Sequence, residues 1–433
     1  MLRTATMLAV VCVSCADRVD VGSAGKAIDL GACLGEDAAC GAGDVLRFTA
    51  DLWSDQAVSQ CETSEDDAWH LDWWLPLDAV PCAPLGFCSP WATAVTGDGS
   101  IWLAGVGMTS IVGNDQVALG GVFVAHYDSQ GKLIAKRVLE TAQLDRMMPD
   151  VQAAIAARDG TGAIVVARLD GETWVQRLDA QLSSGPRVAL TGVDEVGAVN
   201  LSLHPSGGVY LSAGGSLFGE QGPTALALLD AELEPVWVQG STLHSARLLH
   251  SDSDGLTLLG MTQSADGTLG RDLLVSYDAH GNAIRELDVG GGLELISVRA
   301  DGELSLLSQS AGSPFPYYAI EITSEGEMLE EVEIADMSLG PDSPLEERFA
   351  LVSATADREG NSYFAHHSPT KNSSQGIAIV ERHADGKRCT KSIVEFGKAD
   401  LLSTVEVPQS QLWRSDDGAL YVRFDRGMVR LSR

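Results

Sequence analysis

Hydrophobic and polar positions follow one another in blocks along this chain, and the order of the blocks is repeated after residue 90. The first complete block covers residues 91–139: an apolar run, an Asp-Gly turn, a second apolar run, a polar insert, and two further apolar runs separated by a polar turn. Short apolar runs bounded by Gly and Asp are typical of β-strands joined by tight turns. Each block therefore predicts four strands.

The first turn of each block contains a glycine, usually preceded by Asp. These glycines are Gly99, Gly160, Gly208, Gly255, Gly302, Gly360 and Gly418. Glycine adopts positive φ without strain and Asp bonds to its own backbone, so both residues favour tight hairpins. Several of the following strands are apolar on consecutive residues, which predicts strands covered on both faces. Four strands in a unit that recurs every 45 to 60 residues or so is the spacing of β-propeller blades.

The number of turns indicates how the ring closes. The first turn type occurs seven times and the second only six times, so the last unit lacks its fourth strand. Residues 67–77, DAWHLDWWLPL, precede the first block and have the composition of a strand. We therefore predict an all-β, seven-bladed β-propeller closed by an N-terminal strand that completes the C-terminal blade, with Trp73 beside Val429. Such closure leaves no open sheet edge. Trp69, Trp73, Trp74 and Trp237 are expected to pack between blades.

The N-terminus predicts export. Arg3 precedes an apolar run over residues 7–13, which is too short to span a membrane and is typical of a secretory signal. The Ser14-Cys15 pair resembles the lipobox of bacterial lipoproteins, in which the Cys receives a diacylglycerol and becomes the first residue. The resemblance implies lipidation of Cys15, although Cys12 stands where that family prefers Leu. Cleavage at another bond, with release as a secreted protein, is the alternative.

The domain organisation follows from these features. Residues 1–15 are predicted to be a lipoprotein-type signal peptide, residues 16–65 a flexible tether with a disulfide-containing segment, and residues 66–433 the propeller. The disulfide candidates are Cys33, Cys40, Cys61, Cys82, Cys88 and Cys389. An even number of cysteines in an exported chain favours disulfides, but the sequence does not fix their pairing. Cys82 with Cys88 is the preferred pair, and a bridge from Cys389 to Cys61 or Cys40 would stabilise the ring closure.

Composition and motifs restrict the function. The formal net charge of −31 opposes binding to nucleic acid or to anionic headgroups. The sequence has no Gly-x-Ser-x-Gly, zincin or Walker A pattern. The Ser-Asp-Ser-Asp-Gly stretch over residues 251–255 lacks the third ligand of a calcium loop, because Leu256 occupies that position. We therefore predict no catalytic residue, no metal and no cofactor.

A binding face is expected on the side opposite the short turns. The connections between the second and third strands, over 105–119, 214–224, 261–271, 309–316 and 367–375, are long and varied, and long loops on a rigid scaffold are common binding sites. The candidate residues of this face are Phe218, Phe315, Tyr317, Tyr318, His366, His367 and Lys371.

Over residues 66–433 the repeats resemble the β-propeller repeats of bacterial secreted lipoproteins. The resemblance implies the fold and says little about function. We expect an exported, lipid-anchored binding or scaffolding module of the cell envelope. It would be a monomer that reaches the membrane only through its lipid and binds a protein or glycan. The alternative is a propeller enzyme that acts on polysaccharide, either a lyase or a glycosidase. An enzyme should have polar groups converging on the central channel, including an acid of raised pKa or a metal. A binding module should have an exposed aromatic patch.

Overall fold

The computed structural model describes a large part of the chain between residues 40 and 433. The described residues are 40–41, 69–77, 87–108, 118–144, 152–191, 199–251, 253–263, 269–290, 293–298, 304–309, 317–322, 328–335, 350–357, 359–369, 375–383, 388–396, 411–424 and 427–433. Every regular element among them is a β-strand, which confirms the all-β prediction. No helix that is long and apolar enough to cross a bilayer occurs in these residues.

The strands are grouped in consecutive sets of four. Sheet 1 contains β3 (Phe87–Val95), β4 (Ile101–Met108), β5 (Ala118–Tyr127) and β6 (Leu133–Leu144). Sheet 2 contains β7 (Gln152–Arg158), β8 (Gly162–Leu169), β9 (Glu172–Leu178) and β10 (Ser184–Ala189). Sheet 3 contains β11 (Asn200–Leu203), β12 (Val209–Leu217), β13 (Glu220–Leu229) and β14 (Pro235–Ser241).

The next three sheets repeat this order. Sheet 4 contains β15 (His244–Ser251), β16 (Gly255–Gln263), β17 (Leu269–Asp278) and β18 (Ala283–Gly290). Sheet 5 contains β19 (Leu293–Val298), β20 (Leu304–Gln309), β21 (Tyr317–Ile322) and β22 (Met328–Ala335). Sheet 6 contains β23 (Ala350–Ala356), β24 (Ser362–Pro369), β25 (Gln375–Arg382) and β26 (Arg388–Phe396).

The remaining sheet, here the closing sheet, joins the two ends of the described chain. Its strand order is β1 (Cys40–Gly41), β2 (His70–Pro76), β29 (Gly427–Ser432), β28 (Leu420–Phe424) and β27 (Gln411–Arg414). The predicted pairing of an N-terminal strand with three C-terminal strands is confirmed: Trp74 is paired with Val429, and Trp73 with Arg430.

The closing sheet also corrects the predicted fold class. The predicted seven-bladed propeller closed by a single N-terminal strand is wrong as stated, because the closing sheet has five strands and two of them are N-terminal. The additional strand, β1, pairs Cys40 with Trp74 along the outer edge of β2. A sheet edge carries unpaired backbone groups that a further strand can satisfy. A two-residue strand has no hydrophobic periodicity, so the pattern along the sequence did not indicate it.

The sheets pack face to face around a common axis, which is the β-propeller architecture. The end strands β3, β7, β11, β15, β19, β23 and β27 contact one another from sheet to sheet and are therefore the innermost strands. The closing sheet meets sheet 1 through a shared apolar cluster and through the Asp416 amide, which donates to the Gly97 carbonyl at 2.7 Å.

The described core lies between adjacent sheets rather than at the centre of the ring. Along β8, Ala163 and Val165 contact the cluster between sheets 1 and 2, whereas Ile164 and Val166 contact the cluster between sheets 2 and 3. All four residues are buried. Successive side chains of a strand point to opposite faces, so a consecutive apolar run serves two interfaces. This confirms the prediction of strands covered on both sides.

Candidate functional site

The turns between the third and fourth strands share one geometry in sheets 1 to 4. Each begins with an Asp whose carboxylate accepts the amide hydrogens of the residues two and four positions later, at 2.8 to 2.9 Å. The four residues are Asp128, Asp179, Asp230 and Asp278. In two of these turns the hydrogen bonds stabilise the ionised carboxylate. The pKa of Asp278 is lowered chiefly by the side chain of Asn282, and that of Asp179 by the backbone of Ser183.

The second residue of each such turn accepts a hydrogen bond from the preceding sheet through its backbone carbonyl. The donors are Trp73 Nε1 to Ser129 at 3.1 Å, His126 Nδ1 to Ala180 at 2.8 Å, Arg177 Nε to Ala231 at 3.1 Å, and Trp237 Nε1 to Ala279 at 3.0 Å. Since a carbonyl only accepts, His126 carries its proton on Nδ1. Trp73 and Trp237 therefore both act between sheets, as predicted for these tryptophans, but as hydrogen-bond donors as well as packing groups.

The type of donor residue correlates with the type of residue at the fourth position of the turn. That fourth residue has positive φ in all four cases. Where the donor is Trp, that residue is glycine, Gly131 or Gly281. Where the donor is His or Arg, it is a buried leucine, Leu182 or Leu233. A Cβ on Gly281 would lie 3.0 Å from the ring of Trp237, so the bulky indole leaves no room for a side chain there.

Ion pairs join the N- and C-terminal strands of the closing sheet. The guanidinium of Arg430 binds Asp72 and Asp417, the latter at 2.6 Å, and its Nε donates to the Tyr421 hydroxyl at 3.1 Å. Ser432 donates to the second oxygen of Asp72 at 2.6 Å. Burial acts to raise the pKa of Asp417, but the hydrogen bond from Ser415 and the charge of Arg430 outweigh it, so that pKa is lowered. Asp417 and Arg430 are therefore held in their ionised forms as structural contacts.

A second polar cluster joins sheet 6 to the closing sheet around the buried carboxylate of Glu381. Trp69 Nε1 donates to Glu381 Oε1 at 2.7 Å, and Arg433 forms an ion pair with Oε2. His383 Nε2 lies 3.4 Å from the same oxygen, and the Arg433 guanidinium lies 4.7 Å from the centre of the Trp69 ring. Both ends of the described propeller thus bind one side chain of sheet 6.

The neighbouring Asp357 and Tyr363 complete this cluster. The Tyr363 hydroxyl donates to Asp357 at 2.9 Å, and Arg414 lies 3.5 Å from the same carboxylate. Burial and the bond to Asp357 raise the pKa of Tyr363, so the phenol stays protonated. Burial works to raise the pKa of Asp357, but the hydrogen bonds from Asn361 and Tyr363 lower it overall. The pair is a neutral donor fixed on an ionised acceptor.

The innermost strand of sheet 1 exposes a tryptophan. Trp91 is 38% exposed, and the pairing of β3 with β4 shifts register between Pro90 and Ala92, so Trp91 lies in a β-bulge. Arg423 of the closing sheet is buried, and its guanidinium donates to the carbonyls of Pro90 at 2.7 Å and Trp91 at 3.0 Å. Bulges near sites often redirect one side chain. This exposed and supported indole is the candidate functional site.

The described residues of the predicted binding face lie in three different sheets. Phe218 is half-buried against the cluster between sheets 2 and 3, and its amide donates to the Thr191 carbonyl at 3.0 Å. The predicted loop over 214–224 is wrong, because β12 and β13 continue through it as a hairpin that turns at Phe218 and Gly219, both with positive φ.

The other residues of that face are placed by their strands. Tyr317 and Tyr318 lie in β21, and His366 and His367 lie in β24. Phe315 and Lys371 are outside the described residues, as are Cys15, Cys33, Cys61 and Cys82. The predicted signal peptide, and the tether apart from residues 40–41, are outside them too.

The described cysteines occupy strands of three sheets. Cys40 lies in β1 of the closing sheet, Cys88 in β3 and Cys389 in β26 of sheet 6, where it pairs with Glu381. The predicted bridge from Cys389 to the N-terminal segment stays a prediction. Within the described part of the chain, no group of three or more His, Cys, Asp or Glu side chains is arranged to hold a metal ion.

Sequence reasoning missed both Trp91 and Arg423. The signal for Trp91 was the preceding Pro90: proline within a strand marks an edge or a bulge, because it lacks an amide hydrogen. Arg423 and Pro90 are 333 residues apart, and no local pattern connects them.

No protein-family model matches the sequence, and no curated protein matches it. Prolyl oligopeptidase B from Galerina marginata is similar at 10% identity and a TM-score of 0.45, over 84% of this chain and 50% of that one. Acylaminoacyl peptidase from Pyrococcus horikoshii is similar at 11% identity and a TM-score of 0.44, over 80% of this chain and 53% of that one. The β-propeller domain of the Trilobed protease from Pyrococcus furiosus is similar at 12% identity and a TM-score of 0.43, over 80% of this chain and 94% of that one. This chain spans about half the length of the first two proteins. Likenesses this distant carry no argument about function, and the propeller assignment rests on the strand order.

Proposed function

We propose that this protein is an exported β-propeller, anchored at the cell envelope by a lipid on Cys15, and that it acts there as a binding module. The proposal of export and anchoring rests on the sequence of residues 1–15. The binding role is supported chiefly by one observation: the innermost strand β3 exposes Trp91 on a fixed backbone. Tryptophan is enriched at binding hot spots because it offers a large apolar surface with little side-chain entropy to lose.

The carboxyl groups whose pKa is shifted favour binding over polysaccharide cleavage. A general acid for glycoside cleavage needs a carboxyl group of raised pKa. In the described residues, each carboxyl whose pKa departs from its ordinary value has it lowered, including Asp98, Asp357 and Asp417. The buried Glu381 is held by Trp69 and Arg433 between sheets. These groups serve assembly of the ring.

The binding role is tested with the full-length chain immobilised and exposed to envelope extract from the cell that makes it. Material retained by the wild type should be lost from a Trp91→Ala variant and kept by Ile284→Ala, which removes an exposed apolar side chain from the outer strand β18. Retention that is unchanged in Trp91→Ala, or no retention by the wild type, would contradict the proposal.

Anchoring is tested separately. Cells expressing the full-length chain and supplied with radiolabelled palmitate should label the wild-type protein and not a Cys15→Ser variant, because the thiol is the group that receives the diacylglycerol and its acyl chains. Equal labelling of both proteins, or no labelling of either, would contradict lipid anchoring at Cys15 and would not affect the proposed binding role.

A further inference from the structure

Trp91 is held in place before any ligand arrives. Both carbonyls beside its side chain, those of Pro90 and Trp91, accept hydrogen bonds from the single guanidinium of Arg423, which is only 5% exposed. A backbone fixed in this way loses little conformational freedom on binding. From this support, and on the basis of the proposed binding role, we infer that the ligand is an uncharged glycan, one sugar ring of which stacks on the Trp91 indole.

The charge of the protein selects against anionic ligands. A formal net charge of −31 repels nucleic acid, phosphorylated lipids and acidic polysaccharides. An uncharged sugar is not repelled. The C–H bonds on one face of a pyranose carry small positive charges, and these are attracted to the negative face of an aromatic ring.

The backbone at this point disfavours an extended peptide as the ligand. A peptide that adds to a sheet edge needs free amide and carbonyl groups on the edge strand. Pro90 has no amide hydrogen, and the carbonyls of Pro90 and Trp91 are already bonded to Arg423. The side chain of Trp91, rather than its backbone, is what a ligand meets here.

The test uses calorimetry on the full-length protein with four neutral hexasaccharides: β-1,4-linked glucose, α-1,4-linked glucose, β-1,4-linked mannose and β-1,4-linked N-acetylglucosamine. An acidic hexagalacturonate and a mixed pool of uncharged peptides serve as the other ligand classes. At least one neutral glycan should bind. Its affinity should fall about tenfold or more in Trp91→Ala, because the stacking surface is removed, and by only a few-fold in Trp91→Phe, which keeps a ring. Ile284→Ala should bind as the wild type does.

Salt provides a further readout. The affinity for the neutral glycan should be the same at about 0.05 M and about 0.5 M salt, since no ion pair is formed. The inference is overturned if none of the four glycans binds, or if Trp91→Ala binds as tightly as the wild type. If instead the peptide pool binds and this binding is lost in Trp91→Ala, the inference of a glycan ligand would be overturned, whereas the proposed binding function would stand. If neither ligand class binds and retention from envelope extract is independent of Trp91, both the glycan inference and the proposed binding function are contradicted.

Discussion

Two kinds of junction hold this propeller together, and they use different chemistry. Between consecutive sheets 1 to 4, a side-chain N–H donates to a turn carbonyl, as His126 does to Ala180 and Trp237 does to Ala279. At the closing sheet, charged side chains are bound by partners more than 300 residues away in the chain, as Asp72 is by Arg430 and Glu381 by Trp69. The hydrogen bond to a turn carbonyl recurs from one repeat to the next. The contacts of the closing sheet are made only there, between segments that do not belong to neighbouring repeats.

The difference shows what each junction requires. A backbone carbonyl is present whatever side chain the turn carries, so Ser129 and Ala231 serve equally well as acceptors. The closing sheet must instead bring together two particular segments, and an ion pair in a low-dielectric site tolerates few alternative partners. Specificity of this sort is the best-supported role of partly buried charges. The following predictions test this comparison in order of decreasing effect.

Arg430→Met should produce the largest effect. The substitution removes a buried cation and leaves Asp72 and Asp417 without their partner, so the free energy of unfolding should fall by about 3 kcal/mol, a figure reduced for the partial exposure of both carboxylates. Urea denaturation of the variant measures it. The matched control is Arg187→Met, which breaks the surface pair with Glu140 and should cost about 1 kcal/mol or less. Equal losses would mean that the ion pairs of the closing sheet contribute no more to stability than an ordinary surface pair.

Leu233→Gly should cost about 2 kcal/mol. Removing this fully buried leucine loses about 3 kcal/mol of packing, while release of its left-handed backbone returns about 1 kcal/mol. The same substitution at Leu182 should behave alike, because that turn has the same geometry. Thermal or chemical denaturation of both variants provides the check. A stabilised variant would mean that backbone strain, and not packing, dominates at these turns.

Trp237→Phe should cost about 1 kcal/mol beyond the lost packing, because the Ala279 carbonyl loses its donor. Trp73→Phe should give a similar loss at Ser129. The comparison is sharpened by Ala279→Ser, which changes the side chain of the acceptor residue but not its carbonyl and should leave the unfolding midpoint in urea unchanged. A large effect of Ala279→Ser would argue against a junction based on the backbone.

The smallest effect is on pH dependence. Burial lowers the pKa of His126 below its ordinary value of 6.5, against the opposing influence of the Ala180 carbonyl, Asp98 and Asp128. Below about pH 6.5 the unfolded chain therefore takes up this proton before the folded chain does, and stability falls until the folded pKa is passed. His126→Gln should reduce the slope of the unfolding free energy between about pH 6.5 and the lower pKa. An unchanged slope would assign it to other histidines.

Much of the ring could be predicted from the sequence because its signals are local. Consecutive apolar residues such as 163–167 indicated strands buried on both faces, and the missing last strand indicated the partner of β29. The stretch over 214–224 was misjudged because its glycines suggest a loop, whereas the buried Leu217 and the turn at Phe218 continue a hairpin. Arg423 and Arg430 act on residues far away in sequence, and a single sequence contains no signal for such contacts.

The register of the closing sheet bears on how this ring could be redesigned. His70 is paired with Ser432, so β2 begins beside the end of β29. In a chain shortened to begin at β2, a short linker between these residues would make the backbone a continuous circle, and new termini could then be opened between two other sheets. In such a circular permutant, Asp72 and Arg430 would become near neighbours in sequence, and the ring would close as a simple hairpin.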